Sequence, residues 1–270
     1  MDIDICDSPV FVIGSPRSGT TALAWALGRH PDFATFDESQ ILVDLFFKGG
    51  VLDKNYAREG DSWLRKQGIG AEEFLADVGL GFNRLFTRVA GGKRWVDHTP
   101  RHTLMLQWLP AMFPGARFVH ILRDGRRVVH SMVNYAALRP EQEAPWWAED
   151  FSKACKTWAR FTTAAVEFQA ARPERCLTVR NEDLVADPAG GFRRVLAFLE
   201  AADHPAPARF FADNRLNSSF AASEREQGAA ARTLIDPWVE WDAEQRRDFA
   251  RLAGPTMLAH GLATAEDLAF

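Results

Sequence analysis

Apolar positions along this chain switch repeatedly between strand-like and helix-like spacing. Pro9-Val10-Phe11-Val12-Ile13 is an unbroken apolar run, the pattern of a strand covered on both faces. Residues 20–29 then carry helical spacing and stop at Gly28 and Pro31. Further strand-like runs occur at Phe33-Ala34-Thr35-Phe36, Arg94-Trp95-Val96-Asp97, Phe118-Val119-His120-Ile121-Leu122 and Cys176-Leu177-Thr178-Val179. Helical spacing lies between them. It is carried by Leu104, Met105, Trp108, Leu109 and Met112, by Val128, Val129, Met132 and Val133, by residues 151–168, and by Phe192, Val195, Leu196 and Leu199. Asp242 and Gln245 have capping-box spacing for a late helix through Leu252. This alternation predicts an α/β fold of three layers, with a mostly parallel central sheet and helices on both faces. Residues 46–92 read as a helical insertion over the sheet edge. Residues 203–241, rich in Pro, Ala, Ser and charge, read as a long loop of the kind that forms lids. No linker divides the chain, so a single domain over residues 1–270 is expected.

Composition narrows the class. With 47% hydrophobic residues and a net charge of −4, pervasive disorder is excluded. Apolar runs are too short for a transmembrane helix. Asp2, Asp4 and Asp7 stand where a signal peptide would be basic and then apolar. Cys6, Cys155 and Cys176 are isolated, so neither a disulfide framework nor a zinc site is expected, and a reducing cytoplasm is the expected location. No His/Asp/Glu cluster has metal-ligand spacing. A pI near 6.0 argues against nucleic acid as a partner. The cations are 26 arginines against 6 lysines, a bias that suits bidentate contact with phosphate or sulfate.

The sharpest motif is Gly14-Ser15-Pro16-Arg17-Ser18-Gly19-Thr20-Thr21, between a buried strand and a helix. In that position successive backbone N–H groups and a helix N-terminus form an anion cradle, a P-loop-like phosphate-binding loop. The spacing matches the Walker A pattern, but Thr20 replaces its lysine and the cation is Arg17. A nucleoside triphosphatase uses that lysine on its phosphates. A P-loop kinase or NTPase-like nucleotide-binding protein is therefore the alternative reading. Arg123 ends the fourth strand and Ser131 lies about two turns into the next helix. At the carboxyl edge of a parallel sheet this pair suits a second phosphate.

In order and spacing, these features resemble the sulfotransferase family that uses 3′-phosphoadenosine 5′-phosphosulfate (PAPS). Further matches are His98-Thr99-Pro100, Phe113-Pro114-Gly115-Ala116-Arg117-Phe118, Val179-Arg180-Asn181-Glu182-Asp183-Leu184 and Asp187-Pro188. The resemblance implies transfer of a sulfuryl group from PAPS to a hydroxyl by in-line displacement. Arg17, Ser18, Gly19, Thr20 and Thr21 would hold the 5′-phosphosulfate, with Arg17 at the bridging oxygen, and Arg123 and Ser131 would hold the 3′-phosphate. It also implies two candidate bases, His98 and Glu38. The expectation leans to His98, because a neutral imidazole accepts a proton near pH 7. A carboxylate needs a raised pKa for the same task. Asp37 or Asp97 would orient an imidazole.

Asn181 departs from the tyrosine often found near the adenine. Asn217-Ser218-Ser219, Arg225 and Arg232 are the candidates for a final loop against the 3′-phosphate. Trp146 and Trp147 are candidate walls for the acceptor, a hydroxyl of a small molecule, carbohydrate or lipid. His120 reads as a satisfied core histidine, and Arg126-Arg127 as facing solvent.

Overall fold

The computed structural model describes residues 5–48, 50–57, 62–137, 145–147, 149–214 and 237–269. Asn217-Ser218-Ser219, Arg225 and Arg232 lie outside the described residues. The first apolar run forms β1 (Val10–Ile13), buried at every position. It is the centre of a five-stranded sheet with β2 (Phe33–Thr35), β3 (Arg94–Asp97), β4 (Arg117–Leu122) and β5 (Cys176–Arg180). The order is β2-β3-β1-β4-β5 and all four pairings are parallel. In register, Phe11 faces Asp97 and Ile13 faces His120. The carboxyl ends of β1, β3 and β4 therefore open on one edge, where parallel sheets place ligands.

Period-two alternation divides the core into two faces. Phe11, Ile13, Trp95 and Phe118 pack with Met105, Leu109 and Phe113 on one side. Val10, Val12, Val96, Val119, Ile121 and Val179 pack with Leu23, Leu27, Phe192 and Val195 on the other. The second face is covered by α1 (Thr20–Leu27), α7 (Asn181–Ala186), α8 (Pro188–Phe198) and α9 (Pro205–Asp213). A third cluster joins α5 (Gly125–Ala137) to α6 (Phe151–Ala171) and to the C-terminal helices, through Met132, Trp158, Trp241 and Phe249.

Three expectations need correction. Residues 104–112 do not form one helix. A 3₁₀ segment, Pro100–Met105, is followed by a turn and then by α4 (Leu109–Met112). Pro110 has no N–H to return to Leu106, so it fits only within the first turn of a new helix. The insertion at 46–92 covers a face of the sheet as well as its edge. It comprises π-helical turns at Val43–Lys48 and Asp53–Ala57, then α2 (Trp63–Lys66) and α3 (Ala71–Val89). Phe86 of α3 meets the Trp95 ring edge-on at 5.1 Å, and the Trp95 indole N–H donates to Asn83 at 2.9 Å. Gly79 permits this packing, because a Cβ there would stand 2.0 Å from the Met112 carbonyl oxygen. In the described part of 203–241 the chain forms helix α9, which opens at Pro205 with the His204 side chain accepting from the Ala206 N–H, and the rest of the expected loop, 215–236, lies outside the described residues. The late capping box is present, with Asp242 and Gln245 bonding reciprocally at the start of Ala243–Leu252.

Candidate functional site

The loop after β1 is built by its own hydroxyls. Ser18 donates to the Ser15 carbonyl from its backbone (3.1 Å) and from its side chain (2.7 Å). Thr103, from the 3₁₀ segment, accepts from the Gly14 N–H (2.9 Å) and donates to the Gly14 carbonyl (3.1 Å). Arg17 sits at φ 68°, in the left-handed region that non-glycine residues rarely occupy. Arg123 supports that conformation by donating to the Arg17 carbonyl at 3.0 Å. Gly19 has φ 111°, and a Cβ there would lie 2.7 Å from the Asn181 amide nitrogen. Asn181 therefore packs directly on the loop. Thr20 is the buried first residue of α1, with Thr21 beside it.

Arg123 does not pair with Asp124, whose carboxylate is taken by Arg126 at 2.7 Å. Arg126 is therefore not free in solvent as expected. The Trp158 indole N–H donates to the Arg123 carbonyl (3.2 Å), and Glu182 accepts from the Asp124 N–H (3.0 Å). The two anion sites inferred separately meet at one side chain. Arg17 Nε donates to the Ser131 hydroxyl at 3.4 Å, and its guanidinium lies 4.7 Å from the Tyr135 ring centroid.

A cleft of about 200 Å³ opens beside the loop. Arg17, Thr20 and Thr21 form one wall, and Glu38 and Gln40, following β2, form another. Tyr135, Trp146, Trp147 and Arg101 complete it. A separate hollow of about 330 Å³ beside Trp25, Arg29 and Lys93 shares no residue with the loop.

The two candidate bases occupy different settings. Glu38 lines the cleft with part of its surface exposed and accepts from the Gln40 amide at 2.9 Å. Packing around its carboxyl, reinforced by the nearby Asp97 charge, raises its pKa above the usual carboxylate range. His98 is not among the residues that line this cleft. It is 2% exposed, and neither ring nitrogen has a hydrogen-bond partner among the described residues. Burial lowers its pKa, against the opposing pull of Asp97. The cause of its placement is local. Asp97 accepts from the Thr99 N–H at 2.8 Å, curling the chain inward before Pro100 starts the 3₁₀ segment.

The imidazole beside Asp97 is that of His102, with Nδ1 3.0 Å from the carboxylate. The other Asp97 oxygen accepts from the Ser39 hydroxyl at 2.8 Å. Burial alone would raise the Asp97 pKa, but His102 and these donors reverse the effect and hold it well below the usual range. The sequence reading missed His102, whose single signal is its place five residues after Asp97 across a tight turn. His120 is a satisfied core histidine. Its Nδ1 lies 3.1 Å from the Thr178 hydroxyl, and burial lowers its pKa to about 3.

The cleft thus brings a loop cation, two threonines and a carboxyl of raised pKa together. The Sulfotransferase family model matches residues 9–205. The chain is 26% identical over 193 residues to protein-tyrosine sulfotransferase 1 of Danio rerio, covering 70% of this chain and 52% of that protein. The chain thus spans about half the length of that relative. The sulfotransferase domain of the Synechococcus PCC 7002 olefin synthase superposes with a TM-score of 0.59 at 20% identity, covering 94% of this chain and 96% of that one. A mouse sulfotransferase crystallised with PAP superposes at 0.58 and 15% identity, covering 95% of this chain and 86% of that one. At these identities the two structures establish the shared fold. The family model spans well over half of the chain, and by that match the protein belongs to the sulfotransferase family.

Proposed function

We propose that this protein transfers a sulfuryl group from PAPS to an acceptor hydroxyl by in-line displacement. The observation that carries this reading is the convergence on one cleft of a loop cation, Arg17, and a carboxyl with raised pKa, Glu38. The loop suits the donor. Its glycine at φ 111°, the N-terminus of α1 and the hydroxyls of Thr20 and Thr21 form an anion cradle, and Ser131 stands beside Arg17 for a second phosphate. PAPS would supply the activated sulfuryl group. Arg17 offsets negative charge as it grows on the leaving phosphate. Ser18, Gly19, Thr20 and Thr21 hold the group in line with the acceptor. Glu38 takes the acceptor proton, and its raised pKa makes it a stronger base than an ordinary carboxylate. Arg123 holds the loop conformation through the Arg17 carbonyl as well as offering charge to the 3′-phosphate.

The kinase alternative finds no support. Thr20 occupies the lysine position and is buried. Among the described residues no helix is long and apolar enough to cross a membrane. Cys6, Cys155 and Cys176 are buried free thiols, which suits a reducing compartment. The test combines calorimetry with adenosine 3′,5′-bisphosphate and transfer of labelled sulfate from PAPS to a panel of hydroxyl acceptors. Wild type binds the bisphosphate. Arg17→Ala and Glu38→Gln abolish turnover, and Glu38→Gln keeps the affinity. Failure of wild type to bind the bisphosphate sinks the function. Full activity in Glu38→Gln with loss in His98→Ala returns the base to His98.

A further inference from the structure

The acceptor side of the cleft carries a cation that the transfer chemistry leaves unused. Arg101 is the second residue of the 3₁₀ segment after β3, and its guanidinium lies 4.0 Å from the Trp146 ring centroid. Trp146 also stacks against Phe161 of α6, with centroids 5.9 Å apart and planes 29° apart. The indole is thus supported by the core and presents a fixed surface to Arg101. Among the described residues no hydrogen bond reaches the Arg101 guanidinium, and the acid that acts on it is Asp44. Stacking engages the face of a guanidinium and leaves its in-plane N–H groups able to form a bidentate pair. Trp147 adds a second ring to the same wall, 5.4 Å from the Tyr135 ring centroid.

Size limits what can enter. The cleft of about 200 Å³ is smaller than the roughly 300–1,000 Å³ of pockets for drug-sized ligands, so it suits one ring at a time. Flat or pyranose rings stack on indoles, and a half-buried arginine whose donors are unbonded among the described residues selects a carboxylate. We propose that the acceptor is a hydroxylated ring bearing a carboxylate, with Arg101 binding the acid and Trp146 and Trp147 packing against the ring. This rests on the sulfuryl-transfer reading of the cleft. It also gives Arg101 a reason to line the same cleft as Glu38, because an unpaired acid there would be repelled by the base.

The test uses matched acid and neutral probes on the full chain. The pairs are 4-hydroxyphenylacetate with 4-hydroxyphenylacetamide, and glucuronate with glucose. Binding is measured by calorimetry with saturating adenosine 3′,5′-bisphosphate, and transfer by labelled PAPS. At least one acid should exceed its neutral partner ten-fold or more in kcat/KM. Arg101→Gln should reduce that preference to within two-fold through KM, and Arg101→Lys should restore part of it. Equal or reversed preference in wild type, no binding of any acid, or preference retained in Arg101→Gln each overturns the proposal. Bisphosphate affinity in the same samples separates the two failures. If it is present without acid preference, only the acceptor assignment falls. If it is absent, the sulfuryl-transfer reading falls with it.

Discussion

At the scale of single residues, Asp97 and Glu38 couple the core to the cleft. Asp97 is fully buried between His102, the Thr99 N–H and the Ser39 hydroxyl, and Ser39 adjoins Glu38. The groups acting on Glu38 are Asp97, Gln40, His102 and Asp37, with Arg17 and Arg101 on the same cleft. Because its pKa is raised, Glu38, the proposed base, is protonated at a pH where an ordinary carboxylate is still charged. Turnover should therefore fall, as pH decreases, through a limb above the ordinary value of about 4.3. Asp97→Asn removes one negative neighbour and should move that limb to lower pH, measured as kcat against pH. Stability carries the opposite sign. The Asp97 pKa is lower in the folded protein than in the unfolded chain. Its stabilisation is full above the unfolded value of about 3.9 and is lost as pH falls through the folded value. Denaturant unfolding at pH 7 should show Asp97→Asn less stable by ~1–3 kcal/mol, the cost of leaving buried donors without their charged acceptor. The gap should narrow in acid.

At the scale of elements, the loop and its helix form a unit whose geometry depends on Gly19. Gly19→Ala places a methyl at φ 111° against Asn181. It should cost ~1–3 kcal/mol of stability and weaken bisphosphate binding, as calorimetry would record. Asp242→Ala breaks a reciprocal cap far along the chain. It should cost about 1 kcal/mol in denaturant unfolding and leave bisphosphate affinity alone. Strands and most helices were legible in the sequence because burial on both faces of β1 and β4 leaves runs such as Val10-Phe11-Val12-Ile13. Helix α9 was not, because Pro, Ala and charge masked its periodicity, and its start depends on a histidine cap. The break before α4 was not read either, although Pro110 marks it.

At the scale of the whole molecule, the site joins segments from every layer. Arg17 comes from the loop after β1, Ser131 and Tyr135 from α5, Glu38 from beyond β2, and Arg101 from beyond β3. A ligand that bridges them stabilises the folded state by mass action. Adenosine 3′,5′-bisphosphate at about 100 times its Kd should add about 2.7 kcal/mol, visible as a raised Tm. Arg123→Ala releases the Arg17 carbonyl and removes the cation proposed for the 3′-phosphate. The same ligand concentration should then raise Tm much less.

What the residues alone determined follows from near neighbours. Period-two and helical spacing, the glycine and hydroxyl pattern of 14–21, and the order of motifs gave the parallel sheet, the anion loop and the family resemblance. Only packing decided which of His98 and Glu38 lines the cleft, that Asp97 meets His102, and that Arg17 reaches Ser131 across 114 positions of chain. Local periodicity reports which face of an element is covered. Where a polar side chain at a strand end points depends on what distant segments place around it, and no short-range pattern encodes that.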